Sequence, residues 1–388
     1  MPIKNRFAET HAEITAWRRH LHEHPELLFD LPETSKFVEE KLRSFGITDI
    51  TTGIAQTGVV AVIEGQSNTS GRTIGLRADM DALPIMEATG LPYASKTPGK
   101  MHACGHDGHT AMLLGAAQYL AETRNFDGRV VLIFQPAEEG GGGGEVMVQE
   151  GLMDRWGINE VYGMHNMPGY PTGHFAIREG ALLAAADEFN ITLTGQGGHA
   201  AAPHEAIDTN LAAAHVLIAL QSIASRNTDP LKQVVVSVCT LRSDTESHNV
   251  LPHQVLLRGT VRTLDPEVQD LAEQRLYDIT RLTAEAHQCK AEIDYQRGYP
   301  VTRNHAEHTR FAAEAADQIT PGTDRDTPPI MAGEDFSYML NARPGAYIMI
   351  GNGDGATVHH PEYDFDDAAI PAGCSWFAQV VEDRLARA

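Results

Sequence analysis

The order in which strand-like and helix-like segments follow one another constrains the fold of this chain more than any other feature. Short apolar segments rich in β-branched residues alternate with longer amphipathic segments over the first half of the sequence. The strand-like segments are 57–65, 72–79, 129–136 and 161–166, and the helix-like segments are 6–22, 34–45 and 108–124. Such alternation is typical of an α/β domain whose sheet is mainly parallel.

A different order interrupts this alternation in the middle of the chain. One strand, a helix, two strands, a second helix and a last strand are predicted at 187–195, 206–225, 234–241, 254–263, 266–288 and 290–297. This β-α-β-β-α-β order is that of a ferredoxin-like unit. The α/β pattern then resumes with segments at 304–318, 346–353 and from 369 onwards. We therefore expect two domains in the 388 residues, one formed by 1–182 and 295–388 and one by the inserted residues 183–294.

Charge and cysteine content exclude several classes of protein. The chain has 30 basic and 52 acidic residues, a formal charge of −22, so we expect neither nucleic acid nor a membrane surface as a partner. Its four cysteines are far apart, which argues against a disulfide framework. The first residues lack the apolar stretch of a secretion signal, and the apolar run 211–220 is shorter than the ~20 residues of a membrane span. A cytoplasmic location is the expectation.

The densest group of metal-ligand residue types lies at 102–110, in a chain that has 19 histidines. Cys104 and His106 stand two residues apart where the predicted helix 108–124 begins, so both side chains can point at one ion. A thiolate and an imidazole suit Zn²⁺, Co²⁺ or Ni²⁺, and carboxylate partners add Mn²⁺. The alternative is a small buried cysteine beside histidines that cap the helix.

A pair of adjacent carboxylates, Glu138 and Glu139, follows the apolar strand 129–136. One carboxylate of such a pair can bind a metal while the other acts as a general base toward water. The alternative is an exposed acidic turn. The run Gly140–Gly144 comes next, and it is either a flexible turn or a loop whose backbone passes close to a site.

Other ligand-type residues also follow predicted strands. His165 ends the segment 161–166, and His359 and His360 follow the strand at 346–353. Asp79 and Asp81 follow the strand 72–79, where they can bind a metal, orient a ligating histidine or cap a turn. Because parallel strands place their carboxyl ends at one edge of a sheet, we expect these side chains to converge.

Seven segments follow one another in a characteristic order: RADMDALP, HACGHDGHTA, QPAEEG, GMHNMP, GGHAAAPH, HNVLP and HHPEYDFDD. Together they resemble the M20 metallopeptidase superfamily, and most closely its amidohydrolase branch of N-acyl-amino-acid amidohydrolases, hippurate hydrolases and auxin-conjugate hydrolases. The resemblance extends from about residue 14 to 385. It implies a zinc-peptidase-like catalytic domain with two divalent ions (Mn²⁺, Zn²⁺, Co²⁺ or Ni²⁺). It also implies that the inserted domain is a lid that mediates assembly into a homodimer or homotetramer.

The resemblance also implies roles for individual residues of the catalytic domain. Glu138 matches the general base, and Asp81 matches a residue that orients a ligating histidine. Asp79 stands where many other members carry a ligand histidine, so its role stays open. In VHHP the histidine two positions before the proline is His359, with His360 as the alternative ligand. The positions that match metal ligands are Cys104, His106, Glu139, His165 and His359.

Three residues of the inserted domain match the family's substrate contacts. His199 matches a histidine that contacts the scissile carbonyl, in some cases in the site of the neighbouring subunit. Asn249 and Arg262 match a pair that holds the substrate's carboxylate, and a forked guanidinium suits that task. The alternative for Arg262 is a solvated charge on a strand.

The function that the resemblance implies is hydrolysis of the amide bond in an N-acyl amino acid, a small-molecule substrate. One alternative is a dipeptidase or carboxypeptidase that uses the same site on a free-amine substrate. That activity needs an acidic residue for the α-ammonium group, and the sequence identifies none. The alternative from another class is a metal-binding protein without catalytic activity, which would be favoured by loss of Glu138 or of a ligand.

Overall fold

The computed structural model describes residues 4–387, which divide into two units. The first unit contains the residues up to Leu182, 303–328 and those from Asp335 onwards. The second unit contains Leu183–Thr302 and Pro329–Glu334. No helix within residues 4–387 combines the length and the apolar character that a membrane span requires.

The strands and helices are numbered in chain order. The strands are β1 Asp49–Ile54, β2 Gly58–Glu64, β3 Thr73–Asp79, β4 Arg129–Gln135, β5 Glu160–Met167, β6 Phe175–Ala176, β7 Gly180–Leu183, β8 Ala185–Thr194, β9 Gly198–His199, β10 Val234–Ser243, β11 Val250–Leu251, β12 Gln254–Thr263, β13 Lys290–Tyr299, β14 Thr302–Asn304 and β15 Gly345–Gly351. The helices are α1 Asn5–Glu23, α2 Pro32–Ser44, α3 His106–Thr123, α4 Gly143–Gln149, α5 Leu152–Arg155, α6 Thr209–Leu220, α7 Pro266–Ala286, α8 Ala306–Ile319, α9 Phe336–Ala342 and α10 Ile370–Arg384.

The first unit is built on a seven-stranded sheet in the order β1-β2-β4-β3-β5-β15-β6. Its four central strands, β4, β3, β5 and β15, are parallel, and the outer pairings are antiparallel. Every residue of β3 is buried, as expected of a parallel strand with both faces covered. The prediction of an α/β fold with a mainly parallel sheet is confirmed.

The second unit contains a four-stranded antiparallel sheet in the order β10-β12-β8-β13. Helices α6 and α7 pack against each other and against strands of this sheet, around a core that includes Phe189, Leu193 and Leu276. The chain order β8-α6-β10-β12-α7-β13 is the β-α-β-β-α-β order read from the sequence.

The structure differs from the sequence reading in the bounds of some elements. The helix predicted at 206–225 ends at Leu220, and a turn of π-helix covers Ile223–Asn227. Helix α2 begins at Pro32 rather than at Thr34, because the Glu26 carboxylate accepts hydrogen bonds from the backbone N–H groups of its first turn. Strand β1 was not predicted because its alternation is weak and half of it is exposed.

A buried carboxylate, Glu160, joins several elements at the amino end of the sheet. It lies at the start of β5 and accepts hydrogen bonds from Arg72, Arg384 and Tyr162, with His308 Nε2 at 3.3 Å. Burial raises the pKa of Glu160, but the bonds with His308, Arg384 and Tyr162 outweigh it and hold the pKa at about 2. This carboxylate therefore stays charged and ties α8 and α10 to the sheet.

We expect Glu160→Gln to destabilise the protein by about 2–4 kcal/mol, because Arg72 and Arg384 lose the charge that neutralises them. Arg72 is 40% exposed, so water reduces the loss of stability at that arginine. A depressed carboxyl pKa gives stability that is present above the unfolded value of about 4.3 and is lost as the pH falls toward 2. The free energy of unfolding, measured with urea between pH 7 and 3, should therefore fall less toward acid pH in the variant than in the wild type. The control is Glu285→Gln in the exposed Arg281–Glu285 pair, with an expected change below about 0.5 kcal/mol.

Candidate metal centre

The carboxyl ends of three parallel strands meet at one edge of the first unit's sheet. Asp79, at the end of β3, lies opposite Gln135, at the end of β4, and β5 pairs with the other side of β3. Glu138 and Glu139 follow β4, and His165 lies near the end of β5. Open α/β sheets bind their ligands at such an edge.

The start of α3 brings Cys104 and His106 to this edge. Gly105 precedes the helix with φ +90°, and a Cβ at this position would lie 2.3 Å from Asn166 Nδ2. Only glycine fits such a turn, and it makes His106 the first residue of α3. Cys104, His106 and His165 each offer one ligand atom, and these three atoms lie within 4.8 Å of one another.

The side chains of all five predicted metal ligands lie close together. Cys104 Sγ is 3.4 Å from His165 Nε2, and His359 Nε2 is 3.3 Å from Glu139 Oε2. His106 Nε2 is 3.8 Å from Glu139 Oε1. The ligand atoms form overlapping groups, which are Cys104 with His106 and His165, Cys104 with Glu139 and His359, and His106 with Glu138 and Glu139. Cys104, His106 and Glu139 each belong to two of these groups.

Neighbouring backbone groups set the direction of the histidines. His165 Nδ1 donates to the carbonyl of Asn166 at 2.6 Å, so its Nε2 is the nitrogen that faces Cys104. The backbone N–H of His359 donates to the carbonyl of Ala103 at 2.7 Å. The next histidine, His360, accepts a hydrogen bond at Nδ1 from the backbone of Glu362 and is absent from the ligand groups found among the described residues.

Asp81 holds the loop that carries both glutamates. Its two carboxylate oxygens accept the backbone N–H groups of Glu138 at 3.0 Å and Glu139 at 3.1 Å. Asp81 Oδ1 also lies 3.3 Å from His106 Nδ1. The carboxylate therefore fixes the Glu138–Glu139 turn and faces the side of the His106 ring opposite the ligand cluster.

The structure places Asp79 in a chain of hydrogen bonds. Its Oδ1 accepts from His109 Nδ1 and its Oδ2 from Arg77, each at 2.6 Å. His109 Nε2 in turn accepts the backbone N–H of Asn166 at 2.9 Å. Asp79 and His109 form a further candidate ligand group with His106, but both oxygens of Asp79 and both nitrogens of His109 already make hydrogen bonds within the chain. Sequence reasoning missed His109, although its i, i+3 spacing from His106 on α3 was a signal.

Asp335 is a second residue that the sequence analysis did not single out. Its carboxylate accepts hydrogen bonds from Arg77 at 2.9 Å, from Gln135 Nε2 at 2.8 Å and from the backbone N–H of Gly144 at 2.7 Å. It therefore anchors the far end of the glycine run to the end of β4. No motif marked this role, because the contacts join residues about 200 positions apart in the chain.

The cluster has an excess of negative charge. Burial and the carboxylate of Glu139 raise the pKa of the Cys104 thiol well above its usual value. Burial lowers the pKa of His106, but Asp79 outweighs it, with help from Asp81, and the pKa rises to about 10. The thiol and the imidazole thus hold protons that a divalent cation can displace.

The donor set fits a metal centre. His106 Nε2 and Glu139 Oε1 are buried and make no hydrogen bond within the described part of the chain. A buried polar atom without a hydrogen bond lowers the stability of a protein by roughly 1–3 kcal/mol, and by more when it is charged. The mixture of thiolate, imidazole and carboxylate groups is one that Zn²⁺, Co²⁺, Ni²⁺ or Mn²⁺ accepts.

Two of the predicted substrate contacts lie next to each other in the second unit. Strands β9 and β11 pair so that His199 stands opposite Val250, and the backbone N–H of Ala200 donates to the carbonyl of Asn249 at 3.0 Å. His199 is exposed, and its Nδ1 accepts the backbone N–H of Ala201 at 3.0 Å. In the neutral ring the proton therefore sits on Nε2, which makes that atom a hydrogen-bond donor.

Arg262 lies on β12 in the same unit, opposite Val235 on β10 and Ala186 on β8. Its side chain is half-buried and takes part in no ion pair found between residues 4 and 387. A guanidinium of this kind has its charge available for an anionic group.

Comparison with known proteins places the chain in a family. The sequence model of peptidase family M20/M25/M40 matches residues 75–383. The hippurate hydrolase of Campylobacter jejuni is 40% identical over 370 residues, which cover 95% of each chain. The N-acetyl-L-cysteine deacetylase of Bacillus subtilis is 42% identical over 359 residues, which cover 92% of this chain and 85% of the relative.

The fold agrees with solved structures of the family. A dinuclear metal binding peptidase from the M20 family of Bacillus subtilis superposes with a TM-score of 0.85 at 34% identity, covering 97% of this chain and 99% of the other. The family model matches well over half of the chain, and the two relatives are 40% and 42% identical to it over more than nine-tenths of its length. The chain therefore belongs to peptidase family M20, in its amidohydrolase branch.

Proposed function

We propose that this enzyme hydrolyses the amide bond of N-acyl amino acids and releases a carboxylic acid and a free amino acid. The observation that carries the proposal is that Glu138 and Glu139 both approach His106 Nε2, at 3.9 and 3.8 Å. One carboxylate can thus serve as a ligand and the other as a base at a single centre. The names of relatives at about 40% identity, a hippurate hydrolase and a deacetylase of N-acetyl-L-cysteine, support this substrate class.

We assign two divalent ions, Mn²⁺, Zn²⁺, Co²⁺ or Ni²⁺, to the overlapping ligand groups. The supporting observations are the groups themselves and the similarity to a dinuclear metal binding peptidase. When bound, such ions supply Lewis acidity at the scissile carbonyl and make water a better nucleophile. The residues that would hold them are Cys104, His106, Glu139, His165 and His359.

Glu138 is the residue that moves the proton in this proposal. It takes a proton from water as the water oxygen bonds to the acyl carbon. It then delivers that proton to the amide nitrogen as the carbon–nitrogen bond breaks, so the amine leaves neutral. Asp81 holds the Glu138 backbone through a 3.0 Å hydrogen bond and limits how far the base can move.

Asn249 and Arg262 bind the α-carboxylate of the substrate in this proposal. Arg262 supplies a charge that no carboxylate of the described chain neutralises in an ion pair. Asn249 Oδ1 accepts a hydrogen bond from the Ser247 hydroxyl at 2.8 Å, which leaves the amide NH₂ to donate to a ligand.

His199 is proposed to stabilise the oxyanion that develops on the acyl oxygen, since its Nε2 carries the proton. We expect His199→Ala to leave metal content and the unfolding temperature unchanged and to lower kcat roughly 10²–10³-fold. Steady-state kinetics with elemental analysis measures both. A rate close to wild type would contradict the role. His204→Ala is the control, because that histidine is also exposed and lies in the same loop.

A mixing experiment tests whether His199 acts in the site of a second subunit. Glu138→Gln and His199→Ala proteins are each inactive by expectation, and their heterodimer contains one site with both groups intact. Subunit exchange, followed by mass, should therefore recover part of the activity. If the subunits exchange and no activity is recovered, His199 does not act in the site of a second subunit.

We further propose that the enzyme is a homodimer assembled through the second unit. Of the ten large apolar side chains that are exposed within the described residues, eight lie in this unit. They include Leu211 and Ile218 on α6, and Val235 and Leu241 on the edge strand β10. An apolar surface beside an open strand edge favours pairing with a second copy. Sedimentation velocity distinguishes this homodimer from the homotetramer and from a monomer.

A substrate screen tests the proposed function against peptidase activity. A metal binding peptidase is among the similar structures, which keeps hydrolysis of free-amine peptides as the second candidate. The metal-loaded enzyme is assayed against acetyl, benzoyl, indoleacetyl and long-chain acyl amino acids, and against dipeptides with a free amino group. Turnover confined to the dipeptides would replace the proposal by the second candidate.

The remaining alternative, a metal-binding protein without activity, does not fit the chain. Loss of Glu138 or of a ligand would favour it, and all of these residues are present and grouped. We also propose a cytoplasmic location, supported by the four cysteines, which form no disulfide in the described chain.

A further inference from the structure

Leu28 is unusual in the first unit because it is both exposed and strained. Its side chain is 43% exposed, and its φ is +53°. The left-handed region is unfavourable for a leucine, and such a conformation persists only where the surroundings impose it. Among the described residues of this unit, Met86 is the only other large apolar side chain with comparable exposure.

The surroundings of Leu28 impose this conformation from two sides. Leu27 forms a β-bridge with Ala82, which follows the end of β3, and the Ala82 N–H donates to the carbonyl of Glu26 at 2.8 Å. On the other side, the Thr57 hydroxyl donates to the carbonyl of Phe29 at 2.9 Å. The clamped segment, residues 26–29, is therefore held on both sides of Leu28, whose side chain is exposed.

The clamped segment packs against the loop that carries the glutamates. A Cβ at Gly140 would lie 3.4 Å from Leu28 Cδ2 and would meet no other atom within 4 Å. A Cβ at Gly141 would lie 2.6 Å from the Phe29 ring. Gly140 directly follows Glu139, so the exposed side chain of Leu28 lies beside the loop that carries this candidate ligand. The glycines have no side chains that would cover it.

We propose that Leu28 determines specificity by contacting the acyl group of the substrate. The inference rests on the proposed function, and it commits to apolar acyl groups larger than acetyl, with benzoyl as the probe. A benzoyl ring can cover the exposed face of Leu28 and remove it from water, whereas the single methyl group of acetyl covers little of it.

The test compares N-benzoyl-alanine with N-acetyl-alanine in the metal-loaded enzyme. We expect Leu28→Ala to lower the benzoyl/acetyl ratio of kcat/KM about tenfold, the scale for losing a small apolar contact in a pocket. Leu28→Asn is the second variant, because asparagine tolerates the left-handed region and is similar in size but polar. It should lower the ratio at least as much without lowering the unfolding temperature.

Gln288→Asn is the matched control, since Gln288 has φ +62° in the second unit. It changes a residue with similar backbone strain, and the benzoyl/acetyl ratio should stay at the wild-type value. If the benzoyl/acetyl ratio of kcat/KM stays within twofold of wild type in both Leu28 variants, and turnover of the acetyl substrate is normal, the inference about Leu28 is wrong and the proposed function is unaffected. A wild-type enzyme that hydrolyses neither substrate nor any other acyl amino acid would overturn the proposed function and this inference with it.

Discussion

Exhaustive removal of divalent ions is expected to abolish hydrolysis, and Mn²⁺, Co²⁺, Zn²⁺ or Ni²⁺ should restore it. Without the ions the scissile carbonyl is not polarised, and the Cys104 thiol and the His106 imidazole stay protonated in their buried, acidic surroundings. The measurement is the rate on an N-acyl amino acid in protein whose metal content is known from elemental analysis. Full activity without metal would contradict the two-metal proposal.

A ligand variant separates loss of metal from general damage by the chelator. Glu139→Ala removes a carboxylate that lies 3.3 Å from His359 and close to His106, so occupancy should fall together with the rate. Glu145→Ala is the control. Glu145 lies on the neighbouring helix α4, and its carboxylate accepts from Gln149 at an exposed position. The control should keep both metal and activity.

Glu138→Gln is expected to lower kcat roughly 10²–10⁴-fold while metal content and fold are kept. Glutamine has the shape of glutamate but cannot take the proton from water. The backbone N–H of residue 138 still donates to Asp81 in the variant, so the loop should stay in place. Steady-state kinetics, elemental analysis and thermal unfolding of the same preparation measure the three quantities.

The companion variant Glu139→Gln makes the assignment of the two glutamates testable in both directions. If Glu138→Gln loses metal while Glu139→Gln keeps metal and loses only turnover, the roles of base and ligand are exchanged. If both variants keep normal turnover, neither carboxylate is the base, and the mechanism proposed for this site is wrong.

Much of the fold could be predicted from local patterns. Continuous apolar segments such as 129–136 indicate strands buried on both faces. The β-α-β-β-α-β order of the middle region was predicted correctly, although the predicted helix ends differ from those in the structure. The α/β fold with a mainly parallel sheet is confirmed by the structure. The bounds were less predictable where a side chain outside the element decides them, as for α2, whose first turn is held by the carboxylate of Glu26.

The residue types of the candidate centre could also be identified from sequence. Thiol, imidazole and carboxylate groups recur where strands end, and parallel strands bring such ends together. The structure brings the side chains of Cys104, His106 and Glu139 into overlapping groups. Their roles as ligands remain predictions, for which metal removal and the glutamate variants are the tests.

The chain by itself thus determined the kinds of element, their order and the chemistry of the residues at the strand ends, because these depend on local periodicity and on side-chain type. Only the tertiary structure decided which groups support that chemistry. Asp335 reaches Arg77 and Gly144 across long separations in the chain, and Leu28 is strained because Ala82 and Thr57 clamp its neighbours. Local sequence patterns do not reveal hydrogen bonds between distant segments or the backbone angles that packing imposes, because both arise only when the segments pack.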